Sequence, residues 1–214
     1  MNGQRAVTGP ATGRFPGFDV LSQAGRWDQV TADLIAARTG PQQAPEFFTE
    51  TERPTAAALL NQLTGQCDEP LEVSLLEMVD ARLAAGETDG WRYADMPEDG
   101  QAWRDTVGYL DKDAHDRCGS SFADAPELDQ QALIQAVQDG GVDGQWHGLP
   151  AARVWSLWTR YACTALYAHP HAWSEIGFPG PAYPRGYKNA GVGKREPFEV
   201  ADARPTEDPV QEDA

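Results

Sequence analysis

The chain has 214 residues, enough for one well-buried domain with extended arms, and its formal net charge of −16 argues against phosphate backbones and anionic lipid surfaces as partners. Hydrophobic residues make up 41%, and Gly (21) and Pro (16) are abundant, which points to a core flanked by irregular polar segments. The longest apolar candidate, Val154 to Ala168, is interrupted by Arg160 and falls short of the ~20 residues that cross a bilayer, so neither nucleic acid binding nor membrane insertion is expected.

Residues 1–26 are rich in Gly, Pro, Thr and Gln and carry Phe15 and Phe18 without any period, which predicts an extended N-terminal arm whose aromatics dock on the domain or on a partner. The opening Met-Asn-Gly-Gln-Arg shows neither a Sec nor a twin-arginine pattern, so the expectation is a cytoplasmic protein, or a periplasmic one carried out with a partner. Trp27, Val30, Leu34, Ile35 and Arg38 fall at helical spacing and Gly40-Pro41 supplies a stop. A second helix is expected from near Phe48, with Thr49 and Glu52 as a capping box; Pro54 favours Thr51 as an alternative cap.

That helix runs through Ala56, Leu59, Leu60 and Leu63 to Gly65. The next, after Pro70, places Leu71, Leu75, Leu76, Val79 and Leu83 on one face and ends at Gly86. The polar stretch Glu87 to Asp99 reads as turns. Trp103, Val107 and Leu110 then predict a short helix, followed by a small one over Asp113 to Cys118. Pro126 opens a helix through Leu128, Leu133, Ile134 and Val137 that stops at Gly140-Gly141. The strongest pattern spans Pro150 to His169, with Val154, Leu157, Trp158, Tyr161, Ala162, Ala165 and Leu166 as a broad apolar stripe. No segment reads as a strand. The fold class is therefore all-α: a compact multi-helix domain (27–168), an extended arm before it (1–26), a Pro/Gly/aromatic arm after it (169–195) and an acidic disordered tail (196–214).

Catalytic signatures are missing where an enzyme of this size would show them: no Gly-x-Ser-x-Gly elbow, no Walker loop, no dinucleotide fingerprint after a strand. Two metal readings compete with plainer ones. Asp111, Asp113, His115, Asp116 and Cys118 lie within two turns and would serve an independent metal-dependent enzyme; caps and solvated faces account for the same residues, and no glutamate follows at calcium-loop spacing. His169 and His171 flank Pro170 and would need a third ligand from elsewhere; hydrogen bonds to nearby backbone at the helix exit are the plainer use. Cys67, Cys118 and Cys163 are odd in number and far apart, which suits free thiols.

Between His169 and Tyr187, Trp173, Phe178, Tyr183 and Tyr187 alternate with Pro170, Pro179, Gly180, Pro181 and Pro184, a composition that predicts neither helix nor strand but a stiff display of aromatics suited to a protein interface. This stretch resembles the end of the gluconate 2-dehydrogenase subunit 3 family: Trp173, then Ile176-Gly177-Phe178-Pro179-Gly180, then Tyr183-Pro184-Arg185-Gly186-Tyr187. Phe48-Thr49-Glu50, Val79-Asp80 and Gly119 to Phe122 resemble its upstream elements more loosely, and the segment from Gly13 to Leu21 with Trp27-Asp28 resembles an extension of some bacterial members.

The resemblance implies a small accessory subunit without catalytic residues, cofactor or metal of its own. Its partner would be an FAD-dependent large subunit of the glucose-methanol-choline oxidoreductase type that oxidises a sugar, sugar acid or polyol, with a cytochrome as an optional third component. A transient chaperone of the flavoprotein is the variant of that role. The interface residues expected on this reading are Phe15, Phe18, Trp27, Trp173, Ile176, Phe178, Pro179, Tyr183, Arg185 and Tyr187. Many members carry a twin-arginine signal, from which this sequence departs.

Overall fold

The computed structural model of the chain describes residues 14–40, 44–66, 73–189, 191 and 193–207. Pro41, Cys67, Pro70 and Leu71, named above as helix signals or thiols, lie outside them. The fold class is all-α, with one two-stranded ribbon among the described residues. The chain divides into two units: one built from the two ends, up to Pro41 and from Tyr167 onward, the other from Gln42–Leu166.

The central unit holds helices α2 (Arg53–Thr64), α3 (Leu75–Ala84), α4 (Asp99–Cys118), α5 (Glu127–Gln138) and most of α6 (Ala151–Ala168). Its core gathers Phe48, Leu59, Leu60, Val79, Trp103, Val107, Leu110, Phe122, Trp158 and Tyr161. Each large side chain removed from water contributes about 2–3 kcal/mol before entropy is counted. The buried face of α6 (Val154, Leu157, Trp158, Tyr161, Ala162, Ala165) follows the predicted stripe. In α5, Ile134 and Val137 are buried but Leu128 is exposed, because it precedes the turn where the apolar face closes on the core.

The entry to α2 satisfies both sequence signals at once. Thr49 and Glu52 bond reciprocally, the Glu52 carboxylate accepting the Thr49 backbone N–H at 2.8 Å, while Pro54 falls in the first turn of the helix. Thr51 is not the cap. The two helices expected at Trp103 and at Asp113 are one helix of 20 residues, α4. Its middle, Gly108 to Lys112, stays helical across Gly108, with Leu110 buried and Asp111 accepting the Thr55 hydroxyl. A hairpin, β1 (Gln145–Trp146) paired with β2 (Leu149–Pro150), was not anticipated. Its two-residue turn needs positive φ at both positions, and His147 (49°) adopts it beside Gly148 (81°), so the usual Asn-Gly signal is missing.

The terminal unit contains a 3₁₀ helix (Val20–Arg26), α1 (Gln29–Ala37) and α7 (Pro170–Glu175). Over its described part, residues 14–26, the segment expected as an extended arm is folded, with Asp19 capping the 3₁₀ helix and Val20 fully buried. Asp28 caps α1 through the Thr31 N–H. Of the apolar residues that predicted α1, Ile35 is buried, while Val30 and Leu34 face solvent. The run after His169 is partly helical, against expectation: Pro170 does not block α7 but starts it, since a proline at the first helical position needs no N–H and is preset in φ. The tail is not free over its described part, because Glu196 is buried and the backbone N–H of Ala203 donates to the Arg14 carbonyl at 2.7 Å.

Candidate partner-binding surface

The small core of the terminal unit is Val20, Trp27, Ile35 and Trp173, with Phe18 and Leu21 packed against it. Trp173 is fixed on all sides. Its indole N–H donates to the Tyr167 carbonyl at 2.6 Å, the Arg38 guanidinium lies 5.8 Å from its ring centre, and Phe178 meets it edge to face at 5.2 Å. The Ser174 hydroxyl accepts the Val20 N–H at 3.1 Å and donates to the Pro170 carbonyl, tying the N-terminal segment to α7.

Two glycines of the Ile-Gly-Phe-Pro-Gly element explain why that element and the N-terminal aromatics occur together. Gly177 (φ 69°) has no room for a side chain because the Phe15 ring stands 2.5 Å from where a Cβ would sit, and Gly180 (φ 78°) is pressed in the same way by Trp27 at 2.3 Å. Both positions therefore require glycine twice over, for conformation and for space. Arg185 is equally internal in its bonding: it donates to the Pro179 carbonyl at 2.7 Å and to the Gln23 side chain, and its guanidinium lies 3.7 Å from the Phe198 ring centre.

The ten residues expected at an interface thus separate into two groups. Trp27, Trp173 and Pro179 are buried, and Phe15, Phe18 and Arg185 are half-buried supports. Ile176, Phe178, Tyr183 and Tyr187 are exposed, the two tyrosines by 69% and 61%. Their exposure is large for apolar and aromatic side chains held on rigid backbone. Ser174 and Glu196, which help hold this surface in place, carried no signal in the sequence: the Ser174 bond to Val20 joins residues far apart in the chain, and Glu196 looks like any other acid of the tail.

His169 caps α7 through its Nδ1, which accepts the His171 N–H at 3.1 Å. Burial, reinforced by the neighbouring His171, pushes its pKa down to about 4. His171 faces Glu175 at 3.3 Å. The acidic cluster in α4 is likewise spent on structure. Asp111 accepts the Phe122 N–H at 2.9 Å and the Thr55 hydroxyl at 2.7 Å; Asp113 accepts the Trp146 indole N–H at 2.8 Å and meets His147 at 2.7 Å. Among the described residues no three His, Cys, Asp or Glu side chains gather as a cation site, and Cys118 and Cys163 are free thiols.

In the central unit the Asp80 carboxylate accepts the backbone N–H groups of Glu46, Phe47 and Phe48 at 2.6–2.9 Å, so the Val79-Asp80 and Phe48-Thr49 elements are two halves of one clamp. Beside it a cleft of about 460 Å³ is lined by Phe47, Glu98, Asp99, Arg104 and Tyr161, among others. The Tyr161 hydroxyl donates to Asp99 at 2.9 Å and its pKa is raised by burial and by that bond. Arg160 bridges Asp99 and Asp89, and Arg82 also pairs with Asp89, while the buried Nε of Arg160 has no hydrogen-bond partner.

The sequence profile of gluconate 2-dehydrogenase subunit 3 matches residues 50–180, well over half of the chain. The chain belongs to this family. The match takes in Asp80 but begins after the backbone it clamps, includes the Gly119 to Phe122 turn, Trp173 and the Ile-Gly-Phe-Pro-Gly element, and stops before Tyr183 to Tyr187. The family's description is that of one subunit of a dehydrogenase. No curated protein and no solved structure matches the chain in the corresponding comparisons. No helix among the described residues is long and apolar enough to cross a membrane.

Proposed function

We propose that the chain is the non-catalytic accessory subunit of an FAD-dependent sugar, sugar-acid or polyol dehydrogenase, and that it binds and stabilises the large flavoprotein subunit, of the glucose-methanol-choline type, through the terminal unit. The observation that carries this reading is the separation just described: the family element spends Trp173, Gly177 and Gly180 on internal packing and displays Ile176 and Phe178, with Tyr183 and Tyr187 beyond them, at the surface. Rigid exposed aromatics lose little entropy when a partner covers them, which is the economy expected of an interface anchor. The flavin, the substrate pocket and any haem then belong to other chains.

Co-expression with the dehydrogenase's large subunit tests the proposal. The expected result is a complex that carries flavin and outlasts gel filtration, with a large subunit that aggregates or loses flavin when expressed alone. A large subunit that folds, binds flavin and turns over substrate equally well without this chain, and does not associate with it, contradicts the proposal. A complex that forms during flavin loading and then dissociates assigns the chaperone variant.

A further inference from the structure

One stretch near the C-terminus combines a lack of carboxylates with a cluster of cations. The 20 residues from Ile176 to Arg195 contain no carboxylate and four cations, Arg185, Lys188, Lys194 and Arg195, within a chain whose net charge is −16. Arg185 is used internally, as described. Lys188, Lys194 and Arg195 are exposed, and none pairs with a carboxylate among the described residues. Of the chain's thirteen other cations, seven (Arg14, Arg82, Arg92, Arg104, Arg117, Arg160 and Arg204) stand within 4 Å of an acidic side chain.

The nearby acids are turned away from these cations by the local fold. Glu196, 5% exposed, accepts the backbone N–H groups of both Lys188 and Asn189, and Glu199 accepts the N–H of Glu196 at 2.6 Å. Asn189 closes the loop by donating to the Arg195 carbonyl at 3.1 Å. The loop therefore brings the backbone of Lys188 beside that of Arg195, with the carboxylate inside and the ammonium and guanidinium groups outside. Tyr187 continues the strip, its ring 6.0 Å from Phe198.

We infer that this strip, Tyr183, Tyr187, Lys188, Lys194 and Arg195, is the docking epitope for an acidic protein surface, and, resting on the function proposed above, that this surface is on the large flavoprotein subunit. Charge complementarity selects the occupant. The chain as a whole is strongly negative and repels an acidic partner, whereas the strip attracts one, and the two signs together orient the encounter before contact. Once seated, the tyrosines supply buried area and the cations set register. A phosphate polymer or an anionic bilayer, both extended surfaces, would bring their charge against the acidic remainder of the chain as well as against the strip, which disfavours them.

The test measures association of the full chain with the large flavoprotein subunit that co-purifies with it, at about 50 mM and about 300 mM salt, where the screening length falls well below the spacing of surface charges. The wild-type on-rate should fall on the order of tenfold across that range. The variant K188E/K194E/R195E should lose on the order of a hundredfold in on-rate at low salt and lose the salt dependence's sign, with its off-rate little changed. Tyr183→Ala with Tyr187→Ala should instead raise the off-rate. The neutral variant K188Q/K194Q/R195Q should fall between, and an unchanged thermal melt shows that all of them fold.

Wild-type binding rates in the charge-reversed variant overturn the inference while leaving the accessory-subunit reading intact. Retention of the wild type by phosphatidylserine vesicles at the same salt, lost in the charge-reversed variant, overturns it in favour of a membrane surface. A chain that forms no complex with any flavoprotein overturns both readings.

Discussion

Replacing Gly180 by alanine adds one methyl group at a position with φ of 78°, where a Cβ would sit 2.3 Å from Cζ2 of Trp27. Two costs follow. The left-handed conformation costs an L-residue about 1–2 kcal/mol, and forcing the buried indole aside costs about 1–3 kcal/mol as overpacking. A stiffer unfolded chain returns about 0.4–1 kcal/mol, leaving a net loss of about 2–4 kcal/mol. Gly186 supplies the control: it also has positive φ, 68°, but a Cβ there meets nothing within 4 Å, so Gly186→Ala should lose only about 1 kcal/mol. The loss should be confined at first to the terminal unit, so native-state hydrogen exchange at Val20 and Phe178, whose N–H groups bond to Ser174 and Trp173, is the suitable assay. Equal losses at Gly180 and Gly186 would refute the claim that the family element packs on the N-terminal segment.

Asp80→Ala leaves three backbone N–H groups without their carboxylate, one of them on buried Phe48, and should lower stability in urea by about 3–5 kcal/mol. Trp173→Ala, which empties the terminal core, should cost about 3–5 kcal/mol of folding stability, whereas half-exposed Phe178→Ala should cost much less and act on partner affinity; the two variants are compared by thermal melting and by titration with the large subunit. Since the folded pKa of His169 lies below its ordinary value of 6.5, at about 4, the unfolded chain takes up a proton that the folded one refuses, so stability should fall as pH drops from about 6.5 to about 4 and lose nothing further to this group below that. Asn caps a helix as His169 does but does not titrate, so His169→Asn should flatten this window, with His171, Glu175 and Arg38 still in place around it, while the losses from Glu52, Asp89 and Asp202, whose pKa values are lowered by hydrogen bonds and arginine neighbours, persist below the carboxylate range.

Helices α2, α3, α5 and α6 were legible because their apolar residues recur at helical spacing between clear stops, and the family element was legible because packing fixes Trp173, Gly177 and Gly180 in it. Val30 and Leu34 misled in a different way: period identifies a helix but does not say that its apolar face is covered. Pro170 follows the end of α6 at Ala168 and also initiates α7, since the same ring that cannot continue one helix is preset for the start of the next. The buried carboxylate of Glu196 was invisible because nothing in an acidic tail distinguishes the one side chain that turns inward onto two N–H groups. Once that bond is seen, the exposed cations around it acquire meaning, and the surface at the end of the chain changes from an aromatic arm to an aromatic and basic one.

The most direct test of the account is to replace the four displayed side chains together, Ile176→Ser, Phe178→Ser, Tyr183→Ser and Tyr187→Ser, and to measure flavoprotein co-purification against the wild type. Ile176, Tyr183 and Tyr187 are largely exposed and Phe178 is 38% exposed against Trp173, so the variant should remain folded with a melt only modestly below the wild type. The account predicts that the wild type retains a fixed ratio of flavin to chain through purification and that the variant emerges folded, alone and without flavin. A variant that still holds the flavoprotein in the wild-type ratio would contradict the central claim that this surface binds the dehydrogenase.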